Sequence, residues 1–399
     1  MSDVDVVTTV PVAVVGAGPA GLMLTHLLAR AGIDSVAIDI RTRGEIETTQ
    51  RAGILEAGVA QSLVATGVSD RILRDGDEHT GTELRFGGRA HRIDFQELVG
   101  ASVWLYPQTD VFIDLADARE RDGGVVHFGV RDVEVGGVEG ETPVVRFTAA
   151  DGIRHELRPQ YVVGADGSHS QCRALIPEQQ RRVFFREYPF AWFGIIAAAP
   201  RSAPELVYAH SEHGFALISQ RTPDLQRMYF QCDPDTDPAA WSDEQIWATL
   251  QARVAGADGF TLQEGPVTEK SVLRFRSLVV EPMRWGRLVL AGDAAHTVPP
   301  TGARGLNLAL HDVTVLADVL ARALATSDDA VLEEYQPRAL QRVWRAQNFS
   351  WWMTQLLHTA PGASEFDLRR QLGELDNVVS TRAGRTYVAE QYTGWPSVD

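Results

Sequence analysis

The spacing of apolar residues gives the chain three textures. Near the start, the unbroken run "PVAVV" ends in the glycines of "GAGPAG". "LMLTHLLARAG" follows with apolar residues at helical intervals and stops at Gly32. A second apolar run, "IDSVAID", ends at Asp39. Buried strand, helix and buried strand in that order predict a β-α-β unit with parallel strands. Further on, "QTDVFIDLADARERDG" has helical spacing, "GVVHFGVRDVEVGG" and "PVVRFTAADG" read as strands, and "QYVVGADG" is a buried strand ending at Asp166-Gly167.

From about 180 to 275 the texture changes. "AWFGIIAAA", "ELVYAH", "GFALISQR" and "QRMYFQC" are short strands of the kind that pair antiparallel. "SDEQIWATLQARVAG" interrupts them as a helix, with Ser242 and Gln245 spaced for a capping box. "GRLVLAGDAAH" then returns to a buried strand, a turn and a helix, continued by "GLNLALHDVTVLADVLARAL". The third texture is mostly helical and includes "FSWWMTQLLH", in which Trp351 and Trp352 are assigned to the core. Pieces of one nucleotide-binding sheet therefore flank an antiparallel block, so two interleaved domains are expected.

Gly16, Gly18 and Gly21 form G-x-G-x-x-G between the first strand and its helix. The first glycine permits the tight turn, the second admits a pyrophosphate to the backbone, and the third lets helix pack on strand. The helix N-terminus offers free N–H groups and the positive end of its dipole. Asp39 ends the next strand at a spacing suited to ribose hydroxyls. The motif alone does not separate NAD from FAD.

Composition narrows the class. With 37 Lys and Arg against 53 Asp and Glu, the net charge of −16 argues against sequence-independent nucleic-acid binding. Lys270 is the single lysine, so almost all positive charge is forked guanidinium. Cys172 and Cys232 fit no metal-ligand spacing and are too few for a disulfide scaffold. No metal is expected. The acidic start lacks the basic region of a signal peptide, and no apolar run approaches membrane-spanning length, so a cytoplasmic protein without membrane partners is expected.

"ISQRTPDLQRMYFQ" places Ser219, Arg221, Arg227 and Tyr229 in a hairpin. Alternate residues share a face. A five-residue loop would set 221 opposite 227 and bring all four to one face, whereas a four-residue loop would split them. Two arginines on a covered face need anionic partners, and a guanidinium–carboxylate fork is a natural trap. Solvated arginines on an exposed hairpin are the alternative.

"VVGADGSHSQCR" and "LVLAGDAAHTVPPTGARGLNLA", together with the glycine motif, resemble the single-component flavoprotein aromatic hydroxylases. "RAGILEAG", "YPFAWFG", "FSWWMT" and "AEQYTGWP" extend that resemblance over nearly the whole chain with few gaps. It implies an α/β fold. A Rossmann-like FAD-binding domain (1–180, returning at 276–350) would be interleaved with an antiparallel-sheet substrate domain (181–275, with part of 80–110), followed by a helical C-terminal region (351–399). FAD would be held by Gly16, Gly18, Ala20, Gly21, Asp39, Arg51, Gln108, Asp166, Asp293, Gly305, Leu306 and Asn307. The helix after Asp293 would point at the flavin pyrimidine, and Arg227 would steady the flavin. Arg221 would pair with a substrate carboxylate, assisted by Ser219 and Tyr229. Tyr208 would bind the substrate phenol, Tyr392 would pass its proton on, His79 would exchange it with solvent, and the Pro300 carbonyl would face the ring.

The implied reaction is hydroxylation of 4-hydroxybenzoate by O2 to 3,4-dihydroxybenzoate, with NADH or NADPH as electron donor, in a homodimer. No side chain can activate O2, whereas a reduced flavin can. Two departures stand out. Position 304 carries Arg where well-known relatives have Lys. In "DIRTRGEIETTQRAG", Ile40, Glu45 and Thr49 replace side chains that clasp the NADPH 2′-phosphate, although Arg41 and Arg43 are close. A carboxylate such as Glu45 would repel the phosphate and accept from a free 2′-hydroxyl, so NADH is expected to serve at least as well as NADPH. A different hydroxy- or aminobenzoate, or a non-oxygenating flavin reductase, are the rival readings.

Overall fold

The computed structural model describes residues 4–49 and 53–395. The predicted β-α-β unit is present as β1 (Val6–Val15), α1 (Pro19–Arg30) and β2 (Ser35–Asp39). β1 is the centre of a mixed sheet. It pairs in parallel with β2 on one side and with Arg154–Gly164 on the other. Val125–Phe128 extends the sheet beyond β2, and Leu288–Leu290 extends it beyond Arg154–Gly164, both in parallel. Every residue of β2 is buried, as expected for a strand covered on both faces. The N-terminal half of β1 instead has partly exposed residues, because there it runs out beside Arg154.

The second sheet contains Val267–Glu281, Arg182–Ala197, Leu225–Cys232, Gly214–Thr222 and Val207–Ser211 in that spatial order, each antiparallel to the next. Gly81–Phe86 and Arg89–Asp94 complete one edge, and Gly81–Phe86 joins Val207–Ser211 in parallel. Alternation along Arg182–Ala197 explains how one strand serves two cores. Tyr188, Phe190 and Trp192 face the C-terminal helices, whereas Phe193, Ile195 and Ala197 face the helix Asp243–Val254. That helix carries the expected capping box between Ser242 and Gln245.

Two expectations need correction. The helix placed directly after Gly292-Asp293 begins only at Gly305 (Gly305–Thr326). A single 3-10 turn (Gly292–Ala294), a two-residue strand (His296–Thr297) and a second 3-10 turn (Pro300–Gly302) come first. Pro299 and Pro300 account for the delay, since neither can donate a helical hydrogen bond. Trp351 is not core: it is 39% exposed, with Arg186 stacked over its ring. Trp352 is partly buried and donates to Glu374 at 2.8 Å. Among the described residues no helix is long and apolar enough to cross a membrane, and no group of three or more His, Cys, Asp or Glu could hold a metal.

Candidate active site

A cavity of about 1710 Å³ runs from the C-terminal end of β1 to the hairpin face of the second sheet. Its first end is built from backbone. Gly16 has φ +104°, and a Cβ there would lie 2.3 Å from the Ala165 carbonyl oxygen. A Cβ on Gly21 would lie 1.9 Å from the Gly16 carbonyl oxygen, so this glycine is required for packing and does not line the cavity. Gly18 faces open space, and with Pro19 and Ala20 it forms the rim at the N-terminus of α1. No side chain caps that terminus and no acidic residue lies in its first turn, so its orphan N–H groups and dipole are available to an anion. The helix Gly305–Thr326 presents a second terminus of this kind, with Gly305 and Leu306 on the wall and no side-chain cap. Ala303 enters it with φ +53°, in the left-handed region. This cradle fits a dinucleotide pyrophosphate at one helix end and an electron-rich ring at the other.

The expected carboxylates are in place but differently employed. Asp39 accepts from the Ala17 N–H at 3.0 Å and is gripped by Arg41 through Nε at 3.1 Å and Nη2 at 3.0 Å. Asp166 lines the cavity, yet it accepts from the Ser170 hydroxyl and from the Gln171 and Cys172 N–H groups, which ties down its own turn. Asp293 and Gln108 line the wall. Asn307 is turned away: it accepts from Glu56 N–H at 3.0 Å and donates to the Ile54 and Ala303 carbonyls. Arg51 lies outside the described residues.

The sequence had not singled out Asp312 or His296. Asp312 is fully buried, accepts from the Gly292 N–H at 2.9 Å and lies 2.6 Å from His296 Nε2. Burial opposes charging His296, but the Asp312 carboxylate outweighs it and raises the imidazole pKa. The helix thus staples the Gly292-Asp293 turn in place. A lone aspartate among Leu308, Val315 and Leu316 on an otherwise apolar helix face was the available signal.

The far end of the cavity is built from side chains. Ser219 pairs with Arg227 and Leu217 with Tyr229, and a bulge falls at Arg221. The connection is tighter than a five-residue loop, but the pairing keeps the same parity. Ser219, Arg221, Arg227 and Tyr229 accordingly all line the cavity. Arg227 lies over the Tyr229 ring at 5.2 Å. Burial, then the nearby Arg227, lower the pKa of Arg221, and an anion at this spot would counter both effects. The Ser219 hydroxyl donates to the Arg227 carbonyl at 2.7 Å, so only its lone pairs remain for a ligand until it rotates.

Tyr208 enters from the neighbouring strand, opposite Leu217. It is 1% exposed, and its hydroxyl bonds to the Tyr392 hydroxyl behind it and donates to the Thr301 carbonyl at 3.3 Å. Burial raises the pKa of Tyr208 well above the ordinary phenol value and lifts Tyr392 to about 12. Both phenols are therefore neutral at physiological pH. Pro300 is part of the wall, and its carbonyl accepts from the Ala303 N–H at 2.9 Å.

His79 is not bonded to Tyr392. Its Nε2 lies 3.1 Å from Asp77, which also pairs with Arg201 at the surface, while its buried Nδ1 has no partner among the described residues. Arg304 is 1% exposed, lies beside the cavity and shares Glu56 with Arg342. The guanidinium that stands here in place of a lysine ammonium is thus matched by a buried carboxylate.

Residues 9–350 match the family model described as "FAD binding domain". The chain is 40% identical over 386 residues to p-hydroxybenzoate hydroxylase of Acinetobacter baylyi, covering 96% of this chain and 95% of that protein. It is 31% identical to 6-methylpretetramide 4-monooxygenase of Streptomyces rimosus, covering 84% and 82%. The fold matches the crystal structure of p-nitrophenol 4-monooxygenase from Pseudomonas putida with a TM-score of 0.82 at 19% identity, over 98% of this chain and all of that one. Cradle, paired helix termini and relatives agree: the chain belongs to the FAD-dependent aromatic hydroxylases, flavoprotein monooxygenases that take their electrons from NAD(P)H.

Proposed function

We propose that this protein is a 4-hydroxybenzoate 3-monooxygenase that accepts NADH at least as readily as NADPH. The observation that carries the reading is the division of the ring chamber into an acid end, with Arg221, Ser219 and Tyr229, and a phenol end, with Tyr208 backed by Tyr392. A para-hydroxylated benzoate has its two polar groups at opposite ends of a rigid ring. The glycine turn and the two helix termini would hold FAD, which would supply the activated oxygen after reduction.

The residues of the chain prepare the substrate. Arg221 binds the carboxylate as a charge-assisted pair, which fixes the ring in depth and rotation. Tyr208 turns its hydroxyl from the Thr301 carbonyl to the substrate oxygen, and Tyr392 receives the phenolic proton through it. The resulting ring is richer in electrons at the carbon next to the oxygen, where hydroxylation occurs. Burial of both tyrosines excludes bulk water from this step. His79, with Asp77 and Arg201 beside it, is the outlet to solvent in this scheme, and one bridging water at the buried Nδ1 would complete the path.

Preference for NADH is supported by the state of the charges after β2. Arg41 is committed to Asp39, and Arg43 is shared among Glu47, Asp117 and Glu120. Glu45 caps its own helix through Thr42 rather than reaching outward. A 2′-phosphate would have to displace one of these pairs. The protein is further proposed to act as a homodimer, which light scattering of the purified enzyme tests. The decisive assay is purified holoenzyme with O2, a panel of benzoates and either NADH or NADPH, with product identification. We expect 3,4-dihydroxybenzoate, and a kcat/KM with NADH equal to or above that with NADPH. Activity confined to NADPH overturns the donor assignment, and product from another benzoate alone overturns the substrate.

A further inference from the structure

The wall of the ring chamber includes Trp192, whose indole stacks against Phe215 at 5.3 Å and packs on Tyr229 at 4.8 Å. The indole is 1% exposed, so its N–H must find an acceptor inside the protein. That acceptor is His358, with Trp192 Nε1 2.7 Å from His358 Nε2. An indole nitrogen only donates, which forces Nε2 to be the bare nitrogen of the imidazole. The ring proton is then on Nδ1, 2.9 Å from the Thr354 carbonyl. Both nitrogens are satisfied in one tautomer only. The imidazole is also held face-on to Phe190 at 4.6 Å and 7°. Burial pushes its pKa down to about 3, so it stays neutral.

The same stretch of helix continues toward the phenol end. The Thr354 hydroxyl donates to the Ser350 carbonyl at 2.6 Å, so the Thr301 hydroxyl, 2.9 Å away, is the donor to Thr354. The Thr301 carbonyl in turn accepts from Tyr208. Thr301, Ser350 and Thr354 are fully buried and His358 is 3% exposed. Each hydrogen bond along this path has a determined direction, which rigidifies a buried network.

We propose that His358 is a positioning residue for hydroxylation: by accepting the Trp192 indole N–H in a single tautomer, it fixes the aromatic wall against which the substrate ring is aligned. The proposal rests on the reading of this cavity as the ring site. Loss of the acceptor leaves an indole N–H unpaired, and the side chain escapes by rotating into the chamber. The ring is then bound askew, and reduction of the flavin continues while hydroxylation fails.

The test uses FAD-loaded enzyme and the ratio of hydroxylated product to NADH consumed. H358F keeps a ring but no acceptor and should lower that ratio by roughly 5-fold or more, the equivalent of one buried donor left unpaired. H358Q returns an acceptor near the Nε2 position and should restore most of it. In a W192F background, where no N–H needs an acceptor, H358F should cause no further loss. An unchanged ratio in H358F, or the same loss with and without Trp192, overturns the proposal. If H358F does not accumulate with FAD, the W192F/H358F double variant decides: the proposal requires it to recover flavin-loaded protein, and its failure to do so is a refutation. Wild-type enzyme that hydroxylates no 4-hydroxybenzoate instead refutes the substrate assignment, and the variant ratios are then taken with the ring it does hydroxylate.

Discussion

The two ends of the cavity are made of different materials. The cofactor end is mostly main chain: two helix termini, a glycine at φ +104° and turns pinned by Asp166 and Asp312. The ring end is mostly side chain: two guanidiniums, three phenols and an indole, with Tyr208 bonded to Tyr392, Trp192 packed on Tyr229 and Arg227 over the Tyr229 ring. Main-chain sites recognise groups common to many ligands, such as a pyrophosphate. Side-chain sites select one ligand, because each polar group left unmatched carries a penalty. Damage to the first end should therefore remove the cofactor altogether, whereas damage to the second should leave a flavoprotein with faulty chemistry.

The sharpest way to break this contrast is Gly16→Val. The new side chain would collide with the Ala165 backbone, and we expect essentially complete loss of FAD, read as flavin absorbance per protein. Retention of stoichiometric FAD would mean that the cradle is not rigid. Next comes Arg221→Ala, which should keep FAD but weaken binding of 4-hydroxybenzoate by on the order of 10³-fold, the cost of stranding a carboxylate in a buried site. Titration of the flavin spectrum measures this, and an affinity within about threefold of wild type (well under 1 kcal/mol) would remove Arg221 from the site. Tyr392→Phe leaves substrate contacts intact. It should lower the rate of hydroxylation by about 10²-fold, the lower range for loss of a proton-transfer group, with little change in KM. A pure KM effect would show that Tyr392 only packs.

The smallest effect concerns the whole chain. His358 and His311 are pushed down to about 3 and about 4, chiefly by burial. Their folded-state values lie below the ordinary imidazole value of about 6.5. As pH falls below that value, the unfolded chain takes up protons that the folded one refuses, so stability declines with acidification. From pH 7 to pH 5 each site should cost roughly 2 kcal/mol, which thermal melts at both pH values can detect. His296 is shifted the other way and offsets part of this loss; because His311 keeps its lowered value, H358Q should reduce the acid sensitivity without abolishing it.

What could be read in the sequence follows the same division. A main-chain cradle needs glycine, so Gly16, Gly18 and Gly21 announce it without any tertiary information. The ring end depends on register. Ser219 and Arg221 share a face with Arg227 and Tyr229 only because the bulge at Arg221 shifts by one residue the register set at the turn, where Thr222 pairs with Leu225, and so puts Ser219 opposite Arg227; hairpin spacing alone left that open. Tyr208 and Tyr392 meet although they lie far apart in the chain, and only family likeness joined them. The apolar face around Asp312 marks a buried carboxylate, but neither its staple nor the Trp192–His358 bond is legible, because a buried histidine or aspartate looks the same in sequence whether it holds a wall, a turn or nothing. The helix after Asp293 was placed too early because its apolar pattern begins before the prolines permit it.

The interleaving of the two sheets also has a consequence for how the molecule is assembled. Leu288–Leu290 can join Arg154–Gly164 only after the five strands of the second sheet between Arg182 and Glu281 have been threaded out and returned. Closing so long a loop is entropically demanding and slows the search for the native topology. Neither sheet can therefore be finished independently, and the two halves should melt as a single cooperative unit, even though their ligands have nothing in common.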